Sequence, residues 1–386
     1  MKSIILSFFV LLFTTSVNSQ SFNQFYANLA DSCNLDTVTT YLHEFEALGV
    51  KEYNSVELQN ARDWLLDKYS QWGYTDIVQD DFIAASNQMT NIIVTKTGTL
   101  YPDTYVIIDG HYDTKNGTGT NDNGTGTAII LELARLLKDV QTEYSIKFIH
   151  FSGEEIGLTG SNHYVNNVVI PNNLDLKIVF NIDEVGGING MVNNTIVCER
   201  DESQPNSNDA QSAIMTNQLA TCIQLYSTLN TEISFAYASD YVPFMNNGYI
   251  VTGLYEKNET PYAHTSQDSI AYVDIPYVYQ ITKGSMGALA HYAIAYEVVG
   301  LDENELNSVT ISPNPAENVL TITTNFSNEN DVISRIYDLS GILVYEGSLP
   351  SSNGVSEIDI SSLSRGMYLL NLRSEGKSTS VRFVKK

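Results

Sequence analysis

Apolar residues recur at helical spacing in several stretches of the first 300 residues. In the stretch 55–72 this spacing runs from Leu58 to Trp72 and predicts an amphipathic helix. Ser55 is suited to cap the start of this helix and Gly73 its end. The same reasoning predicts further helices over about 125–138, 209–226 and 276–298.

Short runs that are apolar on both faces alternate with these helices and predict strands. They cover 91–97, 104–109, 145–151 and 176–183. Such strands are typical of a mostly parallel or mixed sheet that carries helices on both faces. We therefore expect an α/β fold, with a functional site beyond the carboxyl ends of the strands, where ligands bind in sheets of this type.

The pattern changes near residue 301. The stretch 301–308 is polar and predicts a linker that separates a first domain, 20–300, from a second one. Over 309–386 short alternating strands replace the helices, with turns predicted at Ser340–Gly341 and Gly376–Lys377. This second part is expected to form a small all-β sandwich domain.

The first 19 residues form a segment of their own. A charged start at Lys2 precedes an almost wholly apolar run from Ile4 to Phe13. This pattern predicts a secretory signal peptide, cleaved near Ser19 and Gln20. A membrane anchor is the alternative, but the run is far shorter than the roughly 20 residues needed to cross a bilayer. We therefore expect a mature chain without a transmembrane segment, secreted or attached to the cell surface.

The charge balance narrows the choice of partners. The chain has a net charge of -25, and most of the excess acid lies before residue 301. Nucleic acid is an unfavourable partner for such a chain, because its phosphates need Lys and Arg. An acidic, solvated surface is the usual meaning of this balance, and attraction of cationic substrates is a weaker alternative.

Three cysteines raise the question of a disulfide. In an oxidising compartment two of them could pair, and Cys198 with Cys222 is the favoured pair because both lie in one segment. Three buried thiols that include Cys33 are the alternative.

Candidate chemistry begins in the stretch 110–126, GHYDTKNGTGTNDNGTG, which follows a predicted strand. Its His and Asp side chains are metal ligands, and its glycines permit tight turns. A calcium loop that starts at Asp113 would need Glu at its twelfth position, where this chain has Gly124. Three further segments place metal-binding side chains beyond strand ends, and these side chains are Glu154, Glu155, Asp183 and His264.

The order of these motifs resembles a known family. GHYD, NDNGTG, GEEIGLTGS, NIDEVG and HTSQD are similar to motifs of the co-catalytic zinc exopeptidases related to bacterial leucyl aminopeptidase. Glutamate carboxypeptidase II and glutaminyl cyclase are more distant members of that group. The resemblance covers about 40–300 and implies the zinc exopeptidase fold, two zinc ions per chain and peptide substrates.

The resemblance also implies a role for each motif residue. His111 and Asp183 would bind one zinc ion, Glu155 and His264 the other, and Asp122 would bridge the two. Glu154 would be the general base, since of two adjacent carboxylates one can bind metal while the other takes a proton from water. Asp113 would orient His111, because a metal-binding imidazole needs an acceptor on its other nitrogen.

Three positions depart from the family pattern. Asn121 precedes Asp122 where the family usually has two Asp residues, although the bridging position is kept. Tyr241 stands where the family has His, for which we expect a changed substrate pocket rather than loss of activity. The Tyr that commonly sits directly before the last His is one residue further away here, as Tyr262, so the sequence names no Tyr for the oxyanion.

The second domain has a resemblance of its own. ISPNPAENVLTI, IYDLSGILVYEG, IDISSLSRGMYLLNL and the final RFVKK look like the sorting domain that type IX secretion systems recognise in Gram-negative bacteria. This implies export through the periplasm, with the secretion machinery as a partner. An adhesive or sugar-binding β-sandwich is the alternative.

Together the two resemblances imply a secreted zinc aminopeptidase. A carboxypeptidase of the same family is the first alternative. A glutaminyl cyclase is disfavoured because such enzymes use one zinc ion, whereas both ligand sets are kept here. A catalytically inactive binding module on the same fold is the alternative from a different class.

Overall fold

The computed structural model describes residues 21–236, 238–297, 309–323, 332–338, 342–349, 355–374 and 377–386. The chain divides into two compact units, Met1–Glu297 and Val298–Lys386. The predicted signal peptide and the predicted linker 301–308 lie outside the described residues. So do Ser340, Gly341 and Gly376, where turns were expected.

Eight α-helices are described in the first unit, and the four predicted ones are among them. Ser55 caps α3 as expected, because its side chain accepts a hydrogen bond from the Leu58 N–H at 2.9 Å. The last helix was expected to reach 298 but ends at Tyr292, since Ile294 takes a left-handed φ of 49°. The helices are α1 Gln24–Ser32, α2 Leu35–Ala47, α3 Val56–Gln71, α4 Gly126–Leu137, α5 Thr159–Tyr164, α6 Asp209–Tyr226, α7 Val242–Met245 and α8 Ile275–Tyr292.

A mixed eight-stranded sheet forms the centre of the first unit. Its order is β1-β2-β5-β3-β6-β9-β7-β8, and the central strands β5, β3, β6 and β9 run parallel. Antiparallel pairs join β2 to β5 and β9 to β7. Strands β4 and β10 pair with each other in a separate two-stranded sheet. The strands of the first unit are β1 Ile77–Ala84, β2 Asn87–Lys96, β3 Tyr101–His111, β4 Gln141–Thr142, β5 Tyr144–Phe151, β6 Asp175–Ile182, β7 Thr195–Arg200, β8 Asn230–Phe235, β9 Val251–Glu256 and β10 Ala295–Tyr296.

The sheet is covered on both faces, which explains the continuous apolar runs. In β3 the side chains of Val106 and Ile108 belong to one buried core cluster, and Ile107 belongs to another. Successive strand residues point to opposite faces, so a central strand needs apolar residues at every position. Ile107 is completely buried, and truncating such a side chain to Ala typically costs about 2–5 kcal/mol of stability.

Residues 21–40, to which the sequence assigned no role, are an integral part of the first unit. The hydroxyl of Tyr226 in α6 accepts a hydrogen bond from the Asn23 N–H at 3.0 Å. At the other end of α1, Lys283 in α8 forms an ion pair with Asp31 at 2.7 Å. Helix α1 therefore packs on α6 and α8 as part of the core.

The second unit is the all-β sandwich that the sequence predicts. Its strands form two antiparallel sheets, β11-β12-β15 and β14-β13-β16-β17. Leu320, Ile336, Leu370 and Phe383 from both sheets meet in one buried cluster. The strands are β11 Thr310–Ser312, β12 Val319–Thr323, β13 Val332–Asp338, β14 Leu343–Leu349, β15 Val355–Asp359, β16 Gly366–Ser374 and β17 Lys377–Lys385.

No disulfide joins the cysteines of the described chain. Cys33, Cys198 and Cys222, all among the described residues, are buried thiols. Cys198 lies on β7 and Cys222 in α6, and both side chains belong to the core of the first unit. Of the two alternatives that the sequence left open, the structure therefore has the three buried thiols.

Within the described part of the chain, no helix combines the length and the apolar character that crossing a bilayer requires.

Candidate metal centre

The five predicted ligands converge at one edge of the sheet. The strands β5, β3, β6 and β9 are parallel neighbours, so their carboxyl ends lie side by side. Each of these ends leads into a segment that carries at least one predicted ligand, and those ligands are Glu155, His111, Asp183 and His264 in the order of the strands. Asp122 joins them from the turn Thr120–Thr125 that leads into α4.

Three of these side chains form what we call the inner group, which consists of His111, Asp122 and Asp183. The Nε2 atom of His111 lies 3.2 Å from Oδ1 of Asp122 and 3.3 Å from Oδ1 of Asp183. His111 is the last residue of β3 and Asp183 directly follows β6, so the sheet itself fixes both. All three residues are buried.

The outer group consists of Asp122, Glu155 and His264. Here Nε2 of His264 lies 3.1 Å from Oδ2 of Asp122 and 2.8 Å from Oε2 of Glu155. Asp122 therefore contributes one carboxylate oxygen to each group. The structure thus brings all five predicted ligands together, in the pairing that the family resemblance implies.

The spacing and bonding of these atoms fit a metal ion in each group. Two ligands that each lie about 2.1 Å from a tetrahedral zinc ion are about 3.4 Å apart, close to the observed separations. Within the described parts of the chain, the buried Oε1 of Glu155 accepts no hydrogen bond, and the buried Oδ2 of Asp122 and Oδ1 of Asp183 face no polar partner besides the imidazoles of His264 and His111. Buried carboxylate oxygens without partners are costly unless a cation binds them, so the donor set fits two zinc ions.

The electrostatics of the two groups also favour a bound cation. Burial, followed by the charge of Asp122, raises the pKa of Glu155 to about 9. Burial likewise raises the pKa of Glu154 to about 7. Burial therefore favours the neutral form of Glu155, and a cation beside this carboxyl group would be needed to keep it ionised as a ligand.

Asp113 contacts its neighbours in a different way from the one expected. Nδ1 of His111 bonds to the main-chain carbonyl oxygen of Asp113 at 3.0 Å, and the Asp113 carboxylate is 3.7 Å away. That carboxylate instead accepts hydrogen bonds from the N–H groups of Glu154 and Glu155, each at 3.3 Å. Asp113 therefore orients His111 through its backbone, and its side chain holds the two glutamates.

Glu154 belongs to neither group, although its charge interacts with those of His111, Asp183 and Asp122. Its carboxylate is half-buried, and among the described residues it takes part in no hydrogen bond or ion pair. Glu155, its neighbour, is bound within the outer group. The two adjacent glutamates therefore occupy different environments, as the separate roles predicted for them require.

Asp183 has a second partner that the sequence analysis did not identify. The hydroxyl of Ser239 donates a hydrogen bond to Oδ2 of Asp183 at 2.6 Å. Oδ1 of Asp183 is thereby left to face His111. Ser239 thus fixes the orientation of an inner-group carboxylate.

The departure at Asn121 has a structural reason. Its amide donates a hydrogen bond to Oε2 of Glu256 at 3.0 Å, and its amide oxygen accepts one from the Gly186 N–H at 2.6 Å. An ionised Asp has no donor to offer a facing carboxylate. Asn at this position therefore complements Glu256, a buried residue that the sequence analysis did not single out.

Tyr241 does not line an open pocket, contrary to the expected change in the substrate pocket. It is only 1% exposed, and its hydroxyl donates a hydrogen bond to Oε2 of Glu199 at 2.8 Å. The ring lies against Gly253, where a Cβ atom would be 2.9 Å from it. Tyr241 is therefore a core residue.

Tyr262, the other Tyr considered, packs against Tyr272 with ring centroids 4.2 Å apart.

Sequence reasoning also missed Asp268. It lies inside the quoted motif HTSQD, yet no role was given to it. Its two carboxylate oxygens accept hydrogen bonds from the N–H groups of Asn121 and Asp122, at 2.7 and 3.0 Å. The signal available was its place in the same short motif as His264, but the partners are more than 140 residues away in sequence.

Comparison with known proteins is consistent with this geometry. Residues 91–287, just over half of the chain, match peptidase family M28. Residues 310–386 match the secretion system C-terminal sorting domain. Aminopeptidase YwaD of Bacillus subtilis is 34% identical over 179 residues, which cover 45% of this chain and 37% of the relative. The chain spans about a third of the length of the first curated relatives it matches.

Solved structures show the same fold. The LapA aminopeptidase of Legionella pneumophila superposes with a TM-score of 0.64 at 20% identity, covering 77% of this chain and 81% of LapA. A glutaminyl cyclase of Fimbriiglobus ruber gives a TM-score of 0.56 at 16% identity, covering 67% and 95%. At these identities the likeness concerns the fold alone. The sequence match over more than half of the chain is what identifies it, and the protein belongs to peptidase family M28.

Proposed function

We propose that this protein is a secreted zinc aminopeptidase that removes N-terminal residues from peptides. The observation that carries the proposal is the pair of ligand groups that share Asp122, with the unbound carboxylate of Glu154 beside them. A shared carboxylate between two groups is the arrangement that a two-metal hydrolytic site needs. The aminopeptidases among the matched relatives support the choice of substrate.

Each ligand would have one role. His111 and Asp183 would hold one zinc ion, Glu155 and His264 would hold the other, and Asp122 would bridge them. When bound, the two ions would supply Lewis acidity, which polarises the scissile carbonyl and lowers the pKa of water.

Glu154 would be the catalytic residue that moves the proton. As general base it would take a proton from the attacking water, and it would then give that proton to the leaving amine. Its main chain is fixed by the Glu154 N–H bond to Asp113. Since its carboxylate has no partner among the described residues, it is available for both transfers.

The second unit would direct export. We propose that the type IX secretion machinery recognises residues 309–386 and carries the protein through the periplasm of a Gram-negative bacterium to the cell surface or the medium. The match to a secretion sorting domain supports this route. A chain that ends near residue 301 should keep its turnover, because no proposed ligand lies beyond His264, and should stay in the periplasm.

The rival functions differ in substrate. A carboxypeptidase of the same family would need a free C-terminus, and a glutaminyl cyclase would act on N-terminal glutamine. The two complete ligand groups argue against a one-zinc cyclase. The unengaged Glu154 also argues against an inactive binding module.

A hydrolysis screen combined with zinc analysis separates these four functions, because an inactive module would cleave no peptide and a cyclase would hold one zinc ion. The full-length protein would be assayed on aminoacyl, N-acetylated and C-terminally blocked peptides, with and without a chelator, and its zinc content measured. We expect about two zinc ions per chain and cleavage only of substrates with a free amine, lost on chelation. Cleavage of N-acetylated peptides with a free C-terminus would favour the carboxypeptidase, and stoichiometric calcium with chelator-resistant hydrolysis would exclude the zinc assignment.

A further inference from the structure

The bridging carboxylate sits on a turn that its own side chains hold to the sheet, since Asn123 donates a hydrogen bond to the Ile182 carbonyl oxygen at 2.8 Å and Asn121 donates one to Glu256. Asp122 lies within Thr120–Thr125, between Gly119 and α4. Gly119 has a φ of 62°, a left-handed conformation that glycine adopts without steric cost. The position of this turn relative to the loop of His264 therefore depends on its side-chain partners.

Asp268 supplies the most direct restraint. Its Oδ1 accepts the N–H of Asn121 and its Oδ2 accepts the N–H of Asp122. Asp268 is only 2% exposed, so these two bonds are shielded from water. A carboxylate that accepts two successive main-chain N–H groups fixes the orientation of the peptide unit between them, and with it the direction of the Asp122 side chain.

A second set of bonds fixes Asp268 itself. The hydroxyl of Thr118 donates a hydrogen bond to the main-chain oxygen of Asp268 at 2.7 Å. The main-chain oxygen of Thr118 in turn accepts a bond from Nζ of Lys51 at 2.8 Å. Lys51 is completely buried, and its Nζ donates to the carbonyl oxygens of Phe45 and Gly49 as well. Three carbonyl acceptors match the three donors of an ammonium group.

Glu46 in α2 joins the two loops directly. Its Oε2 atom accepts a bond from the Thr120 hydroxyl at 3.1 Å and another from the Ile270 N–H at 2.7 Å. Close backbone contact accompanies these bonds, because a Cβ atom on Gly117 would lie 2.0 Å from the main-chain oxygen of Thr265. Glu46 and Lys51 both precede residue 91, where the match to the family begins.

We propose that Asp268 is a positioning residue that sets the affinity of both metal ions, and that Glu46, Lys51 and Thr118 hold it in place. The inference rests on the proposed two-zinc centre. Because Asp122 gives one oxygen to each group, a change at Asp268 weakens both ions together. A change at a residue that serves one group weakens one ion only.

The test is the zinc affinity of Asp268→Asn in the full-length protein. Asn keeps the shape, but its NH2 group faces a main-chain N–H where an acceptor is needed. Partners of metal ligands typically contribute about 10–100-fold in metal affinity, so we expect each of the two dissociation constants to rise at least tenfold. Competition with a chromophoric chelator measures both constants, independently of turnover.

Asp201→Asn is the matched control. Asp201 is also fully buried, and its carboxylate accepts bonds from the Ser203 N–H and the Asn208 amide. It lies at the opposite edge of the sheet, since Arg200 pairs with Thr252 near the start of β9. Asp201→Asn should lower the melting temperature and leave both zinc constants unchanged.

Three outcomes would overturn the inference. They are unchanged zinc constants in Asp268→Asn, an equal loss in Asp201→Asn, and a loss confined to one of the two ions. If Asp268→Asn does not fold, Thr118→Val removes only the hydroxyl that holds Asp268, and it should weaken both ions by a smaller factor; unchanged constants there would also refute the proposal. A wild-type protein that binds two zinc ions but cleaves no peptide would refute the proposed function, and the binding constants would still decide this inference.

Discussion

The inner and outer groups share Asp122 but are built on different supports. His111 of the inner group ends a central strand and its side chain is 1% exposed. His264 of the outer group lies on a loop after β9, has a left-handed φ of 58° and is 48% exposed. The sheet fixes one imidazole, and hydrogen bonds between loops fix the other.

This difference predicts that the two groups of one centre bind their metal ions with different affinities. A ligand held by strand pairing cannot move without breaking the sheet, whereas a loop ligand can shift as its loop opens. We therefore expect the ion of the inner group to bind more tightly and to exchange more slowly than the ion of the outer group. The exposed side of the outer group is also where the proposed peptide substrate would have access.

The largest expected effect comes from a change that leaves both groups intact. Glu154→Gln removes the proposed base and should lower kcat by about 10²–10⁴, while zinc content stays at the wild-type value. Steady-state kinetics and metal analysis on the same samples measure both quantities.

Glu155→Gln is the paired control for this prediction. It should lose the outer ion, because a neutral amide is a poor replacement for a carboxylate ligand, and should regain part of its activity in excess zinc. Zinc loss in Glu154→Gln with two ions retained in Glu155→Gln would reverse the roles. Normal turnover in both variants would contradict the hydrolytic mechanism.

The comparison itself is tested by removing one imidazole from each group. His264→Ala should fold normally and keep the inner ion, with affinity for the outer ion reduced by more than about 100-fold, since even partners of ligands contribute 10–100-fold. His111→Ala should also lower the melting temperature of the metal-free protein, because it leaves Asp122 and Asp183 buried without their imidazole partner. Zinc titration would measure the affinities, and calorimetry would measure the melting temperatures of the metal-free variants. Equal stability of the two metal-free variants would contradict the division into inner and outer groups.

A smaller effect should be confined to the inner group. Ser239→Ala removes the hydroxyl that donates to Asp183, and we expect a loss of about tenfold in affinity for one ion. Ser212→Ala is the matched control, since the Ser212 hydroxyl is equally buried and donates to the Val251 carbonyl oxygen at the opposite edge of the sheet. A loss of both ions in Ser239→Ala would show that the groups are not separable.

The smallest effect concerns a buried carboxyl group that needs no metal. Burial raises the pKa of Glu199 to about 7, compared with about 4.3 for an unfolded glutamate. Between these values the folded chain keeps a proton that the unfolded chain has lost. The stabilising contribution is therefore complete below about pH 4.3 and is lost as the pH rises to about 7.

Glu199→Gln should remove this pH dependence. We expect its melting temperature to exceed that of the wild type by a few degrees at pH 8, and the difference to be much smaller at pH 5. Zinc content and kcat should be unchanged, because Glu199 bonds to Tyr241 and belongs to neither group. A constant difference across this pH range would contradict a protonated Glu199.

Much of the fold could be predicted because its signals are local. The apolar runs of β3, β5 and β6 and the capped helix α3 are visible within single windows of sequence. Strand β8 was missed because every one of its residues is exposed or half-buried, which leaves no apolar run to detect. Helix α1 was missed as well, since its buried face is completed only by contact with α6 and α8.

The residues of the candidate site also fall into those that the sequence could predict and those that it could not. The ligand candidates could be predicted because each follows a strand end within a short motif. The residues that hold them could not, because their bonds cross long stretches of chain. Asn121 meets Glu256 across 135 residues, and Asp268 meets Asp122 across 146. A single sequence carries no signal for such a pairing, and only the folded chain makes it visible.

The buried cysteines have a practical consequence for labelling. All three thiols are shielded by the core, and burial raises the pKa of Cys33 and Cys198, so maleimide and similar reagents find little thiolate in the folded protein. A cysteine introduced at the exposed position of Lys115 would then be the reactive one. Its neighbour Asn116 bonds to the His264 carbonyl oxygen at 3.4 Å, so a fluorophore at position 115 would report any movement of the loop that carries His264, without removal of a native cysteine.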